Sequence, residues 1–352
     1  MAPMRALRSA LGLACLLAFV SLAVAGCGGG GSTSSRLNGS AESGKSRPAP
    51  PKSAFPATEG RTLKQFYMAI GKVPPTIKVS PGGEAFWPGE GRYPFLVNEK
   101  ALSSDKLGRE VPDAEIAIYL AEGKAQTSPW QEPVIGPFPA RIESLATKPP
   151  FQGKTTTENP EMASVVYSSQ LPFPSEGTYK PIMVTKEKGG WATKGLPTVQ
   201  VGEFEKIPRP GEKAPLIQTP TARSVGGARA ELSTRVPPDT QNQVNYADVL
   251  GKEPILLLFT TPKFCQSRAC GPVVDVAEQA QHEFEGKANF IHMEIYNDND
   301  PSKGVRPQVR RFHLPTEPWL FAINREGVVS ASIEGAFGTK LMRQTVDRVI
   351  SE

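Results

Sequence analysis

The chain has 352 residues, with 40 Lys and Arg against 35 Asp and Glu. Its formal net charge of +5 falls to +3 once Arg5 and Arg8 are set aside with the first 26 residues. So small an excess, without a basic stripe carrying interleaved aromatics, speaks against a nucleic-acid partner. The length exceeds one typical domain and suggests two.

Residues 1–26 read as a signal peptide. Arg5 and Arg8 precede an apolar stretch, LGLACLLAFVSLAV, which runs into Val24-Ala25-Gly26-Cys27, the small-residue pattern of a bacterial lipobox. Cys15 would leave with the signal, and Cys27 would become a lipidated N-terminus whose several acyl chains anchor stably. The alternative is an ordinary secretory signal with an incidental cysteine. No second apolar stretch is long enough to span a bilayer. The mature chain is therefore expected on the extracytoplasmic face of the cell membrane, held by lipid alone. Disulfides persist there, and Cys265 and Cys270 remain as its single pair.

Residues 27–60 are Gly, Ser and Pro with scattered charge. They lack the apolar side chains that offset ordering entropy, so a flexible lipidated tether with a reach of about 30 Å is expected. From 61 to 205 the pattern changes to short β-rich runs punctuated by Pro and Gly. Alternation is clear in Glu115-Ile116-Ala117-Ile118-Tyr119-Leu120 and in Thr198-Val199-Gln200-Val201. These runs predict an all-β antiparallel sandwich, with Trp87, Trp130 and Trp191 packed in or near it. The segment PFPSEGTYKPIMVTKEKGG resembles the penultimate hairpin of Ig-like domains common on bacterial surface lipoproteins, which implies a fold class and no activity.

Residues 206–225 form a Pro-Gly linker. From 226 to 352 strands and helices alternate: ILLLFTT as a buried strand, VVDVAEQAQHEFEG as a helix with Val273, Ala277, Ala280 and Phe284 on one face, ANFIHMEIY as a strand, WLFAIN and VVSASI as a hairpin, and TKLMRQTVDRVIS as a closing helix. Continuous apolar strands with intervening helices imply a central sheet covered on both faces. Cys265 and Cys270 fall at the junction of the first strand with the first long helix. A helix N-terminus leaves unpaired N–H groups and about half a positive charge, which favours a thiolate over a thiol.

This stretch resembles thioredoxin-like and redoxin domains in three features: the cysteine at the strand-to-helix turn, the run from Pro318 to Gly327, and the closing helix. PGEKAP in the linker is similar to the redoxin lead-in. The resemblance implies an α/β thioredoxin-like domain and thiol-disulfide exchange with extracytoplasmic protein thiols or disulfides, without metal or cofactor. Cys265 would attack and Cys270 would resolve. Pro318 takes the place of the family's cis-proline, with Pro315 as the other candidate.

Several positions depart from that pattern. Residues five apart in a regular helix point about 140° away from each other, so a disulfide requires Cys265 to precede the helix or the first turn to unwind. Gly271-Pro272 is expected to begin it, with Pro at the first position. Arg268 would add a cation favouring the thiolate, or be a solvated loop residue. The buried carboxylate of thioredoxins is absent from Ile255-Leu256-Leu257-Leu258, and Phe264 stands where Trp usually precedes the first cysteine. C-x4-C also resembles a peroxiredoxin subclass, but Pro262 replaces its Thr. A copper-carrying thioredoxin relative would need a histidine nearer the second strand than His313, and His282 and His292 read as a helix-surface and a strand residue. Asn297-Asp298-Asn299-Asp300 reads as a solvated loop, since it lacks EF-hand spacing. A non-catalytic binding scaffold with a structural disulfide is the remaining alternative. Nucleophile-elbow, zincin, P-loop and dinucleotide signatures are absent.

Overall fold

The computed structural model describes residues 44–101, 108–124, 126–158 and 161–352. The expected signal peptide with Cys15, the lipidation candidate Cys27 and the expected tether as far as residue 43 lie outside the described residues. The fold is mixed and sheet-rich, with helices α1 Leu63–Ile70, α2 Lys154–Thr157, α3 Tyr246–Val249, α4 Cys270–Glu283, α5 Pro307–Arg311 and α6 Thr339–Ser351. The strands are β1 Ile77–Pro81, β2 Gly89–Glu99, β3 Ile116–Glu122, β4 Ile135–Pro139, β5 Arg141–Ser144, β6 Val165–Phe173, β7 Gly177–Glu187, β8 Gly190–Gly195, β9 Val199–Val201, β10 Ile255–Phe259, β11 Asn289–Met293, β12 Trp319–Ile323 and β13 Val329–Glu334.

The first nine strands form two antiparallel sheets, β1-β2-β6-β5 and β4-β3-β7-β8, with β9 also paired to β7. Their facing surfaces share one core, in which Phe95, Val97, Ile142 and Tyr167 of one sheet meet Ile116, Ile118, Leu120 and Met183 of the other. The second sheet is apolar on its outer face as well. Helix α1 lies there, burying Leu63 and Phe66 against Ala117, Tyr119, Ile182 and Val184, with Trp130 and Trp191 at the margin. This double covering explains why β3 is buried at every residue except its last.

Helix α1 falls inside the run expected to be all β. Its start is a capping box: the Thr62 hydroxyl accepts the Gln65 N–H and the Gln65 side chain accepts the Thr62 N–H. Residues 44–60 also differ from the expected tether. Arg47 and Ile142 exchange backbone hydrogen bonds at 2.9 and 2.8 Å, and Phe55 is buried beside the Trp191 ring. One strand-like bridge and one aromatic anchor offset the entropy of this Pro-rich stretch, which Pro has already reduced.

The C-terminal sheet has the order β11-β10-β12-β13, with β10 parallel to β11 and antiparallel to β12. Alternation divides its side chains between two cores. Ile255, Leu257, Phe259, Trp319, Phe321 and Ile323 face one side, where α3 and α5 pack, while Leu256, Leu258, Leu320 and Ala322 face α4 and α6. The core around α4 and α6 also takes Leu145, Ala163 and Val166 from the β5-β6 region, so these helices are enclosed between the C-terminal sheet and the sandwich. Residues 206–225 are pinned too: Ile207 and Ile217 are buried, and Gly211 and Ala214 donate to Val329 and Gly327.

Replacing Phe337, fully buried in the core between sandwich and helices, with Ala should destabilise the chain by about 3–5 kcal/mol. Because that core belongs to both halves, urea unfolding followed by circular dichroism and by tryptophan fluorescence should give one coincident transition. Two separated transitions would contradict the shared core.

Candidate functional site

Strand β10 delivers the chain into a loop of residues 260–269, with Thr260, Thr261 and Pro262 buried at its root. Helix α4 begins at Cys270, and Cys265 lies before it. The two form a disulfide with Cα atoms 5.9 Å apart. The Cys270 N–H donates to Cys265 Sγ at 3.3 Å, so the first free donor of the helix points at the outer sulfur. The Ser267 hydroxyl lies 3.3 Å from Cys265 Sγ and 3.9 Å from Cys270 Sγ. Cys265 is half-buried, whereas Cys270 is fully enclosed. The helix starts two residues earlier than its Pro suggested. Pro272 falls third in the first turn, where a missing N–H still costs no intrahelical bond.

Arg268 does not offer an uncompensated cation to the sulfurs. It adopts φ 63°, its carbonyl accepts the Ala163 N–H at 3.0 Å, and its guanidinium pairs with Glu161 at 2.9 Å. The β5–β6 connection thus lies across the start of α4. A Cβ on Gly271 would come within 3.2 Å of Thr156 Oγ1, and Asp275 of α4 accepts from Gly153 N–H and Arg235 Nε at 3.0 and 2.7 Å.

The Glu317–Pro318 bond is cis, and the register Phe259↔Trp319 sets Pro318 at the level of Thr260, at the loop's root. The Pro318 carbonyl accepts the Gly335 N–H. His313 is exposed with φ 56°, and His282 rests against Phe151. Among the described residues no group of three or more His, Cys, Asp or Glu could hold a metal ion. In the 297–300 loop, Asn297 donates to three carbonyls of residues 303–305 and Asp300 caps Ser302.

Sequence reasoning missed a buried polar group beneath the loop. His292 Nδ1 lies 2.8 Å from Asp239 Oδ2 and its Nε2 lies 3.1 Å from the Thr260 carbonyl, with both side chains fully enclosed. Burial alone would lower the imidazole, but the Asp239 charge and hydrogen bond outweigh it and raise it from 6.5 to about 9. Burial likewise opposes ionisation of Asp239, yet His292 holds it down at about 2. Glu294 accepts from the Thr234 N–H and hydroxyl, and Thr234 accepts from Lys263 N–H. Glu317 accepts from Thr261 N–H at 2.7 Å, and burial pushes it up to about 8. The available signal was one polar residue, His292, among Phe290, Ile291 and Met293 in an apolar strand.

No protein family and no curated protein matches the sequence. Among solved structures, the chain is similar to one described as the "crystal structure of a putative Thiol:disulfide interchange protein DsbE from Chlorobium tepidum". The match has 16% identity, covers 41% of this chain and 99% of that one, and has a TM-score of 0.29. A TM-score that low does not establish a shared fold.

The His292–Asp239 pair sets a pH window. The folded imidazole titrates above its ordinary value, so its contribution is full below pH 6.5 and is lost as pH rises through about 9. The Asp239 contribution is present above pH 3.8 and lost as pH falls through about 2. Unfolding free energy should therefore decline from pH 7 to 9.5, and His292→Asn should flatten that decline. Glu317 and Glu334, raised by burial to about 8 and about 7, add losses of the same sign that the variant keeps. An unchanged slope in the variant would contradict the charged pair.

Proposed function

We propose that the chain is a lipid-anchored, extracytoplasmic thiol-disulfide oxidoreductase acting through Cys265 and Cys270. The observation that carries this reading is the asymmetry of the pair. Cys265 is partly open to solvent and receives the first N–H of α4, whereas Cys270 is enclosed. In the oxidised state a partner thiolate attacks Cys265 Sγ, the bond to Cys270 breaks, and Cys270 leaves with the electron pair and takes a proton. In the reduced state the Cys265 thiolate attacks a partner disulfide, and Cys270 resolves the mixed disulfide by releasing the partner's second sulfur.

The strand order β11-β10-β12-β13, the cysteine at the end of β10 and the cis-Pro318 opening β12 support a thioredoxin-like reading of residues 226–352. Two facing antiparallel sheets support an Ig-like reading of residues 61–205. The lipobox at Cys27 supports anchoring, and the anchor keeps the pair close to membrane-associated partners.

The purified, folded chain should have its disulfide reduced by millimolar dithiothreitol. Cys270→Ser should trap mixed disulfides on Cys265 in intact cells, Cys265→Ser should trap none, and Cys27→Ser should release the protein from the membrane fraction. Resistance to reduction until the chain is denatured would instead show a structural staple on a binding scaffold.

A further inference from the structure

The root of the Cys265 loop is held from below by ionisable side chains. The Thr260 carbonyl accepts from His292 Nε2 at 3.1 Å, the Thr261 N–H donates to Glu317 Oε2 at 2.7 Å, and the Lys263 N–H donates to Thr234 Oγ1, which itself donates to Glu294 Oε1 at 2.8 Å. Three anchor points of a short loop thus depend on three titratable groups.

The geometry fixes one protonation state. His292 has a carboxylate oxygen at Nδ1 and a carbonyl oxygen at Nε2, and only the doubly protonated ring donates to both. Its positive charge is already matched by Asp239. Around Glu317 stand His292 and Glu294 from the β11 side, with Tyr296 just beyond them and Asp239 behind His292. Arg306 acts on Glu294 from further out. An ionised Glu317 would therefore enter a neighbourhood whose imidazolium is balanced and which already holds a second carboxyl.

We infer that Glu317 and His292 are positioning residues that couple the redox state of the Cys265–Cys270 pair to pH through the root of its loop. This rests on the disulfide-exchange reading. Reduction by an external dithiol adds two electrons and cleaves the S–S bond. The dithiol becomes a disulfide, Cys270 keeps one of its protons, and the other passes to solvent while Cys265 remains a thiolate at the start of α4. A neutral Glu317 donates no like charge to that state. An ionised Glu317 repels the new anion and favours the disulfide. His292 keeps the Thr260 carbonyl, and with it the start of the loop, fixed throughout.

The test equilibrates the purified full chain with dithiothreitol redox buffers from pH 6 to 9 and counts thiols by mass after alkylation. Native, Glu317→Gln and His292→Asn chains are compared, with thermal melts of both redox forms. The ratio of native to Glu317→Gln reduction constants should be flat at low pH and fall by about tenfold across the titration of Glu317, which corresponds to one pKa unit of mutual repulsion. His292→Asn should alter the pH profile as well as the melting temperature. A ratio constant to within about twofold, with only melting temperatures moved, assigns these residues a purely structural role and overturns the inference. If Glu317→Gln does not fold, the native curve decides: it must break near pH 8, and a straight line overturns the inference. A native disulfide that resists the dithiol while folded defeats the exchange reading itself, a result visible before any variant is compared.

Discussion

Helix α4 must meet two demands at once: its first N–H is aimed at a sulfur that reaches solvent, and its body is enclosed from Cys270 to Ala280. An enclosed helix cannot shift to relieve strain at its end, so the position of Cys270, and through the disulfide that of Cys265, is set by packing on two sides. Leu256, Leu258 and Leu320 press from the C-terminal sheet, while Leu145, Ala163 and Val166 press from the sandwich. The polar residues on the helix are satisfied in place, Asp275 by Arg235 and Gly153, and Glu278 by the Thr240 N–H and hydroxyl.

On this account the sandwich is part of the wall of the site. It supplies the β5–β6 connection that crosses the start of α4 and pairs Glu161 with Arg268. Glu334, at the end of β13, accepts the N–H groups of Glu84 and Ala85 and the Thr316 hydroxyl, so the loop before β2 is tied to the residues just ahead of Pro318. The surroundings of Cys265 are therefore set by both halves of the molecule.

Much of this was legible in the sequence because it follows from local periodicity. The unbroken apolar run of β10, the helical spacing of Val273, Ala277 and Ala280, and the alternation in β3 each translate into one element. The five-residue spacing of the cysteines required Cys265 to precede the helix or the first turn to unwind, and the structure takes the first course. Helix α1 carried a readable signal in Thr62-x-x-Gln65 with Leu63, Phe66 and Ile70 along one face, but the surrounding β-rich runs masked it. The enclosure of α4 was harder to read, since it depends on outward positions of β6. Val165-Val166-Tyr167 is apolar on both faces, which marks a strand covered twice without naming what covers it. The groups beneath the loop were not legible, because Asp239, His292, Glu294 and Glu317 come from separate segments and meet only through strand register. Arg268 looked available for the same reason: Glu161 is more than a hundred residues away in sequence.

The central claim is that the two sulfurs are chemically unequal because one meets the helix terminus and the surface while the other is sealed beneath. Alkylation of the fully reduced, folded chain by limiting iodoacetamide at pH 7, with the modified residue identified by peptide mass, measures this directly. The account predicts modification at Cys265 at least about tenfold faster than at Cys270. Equal rates, or faster modification of Cys270, would contradict it.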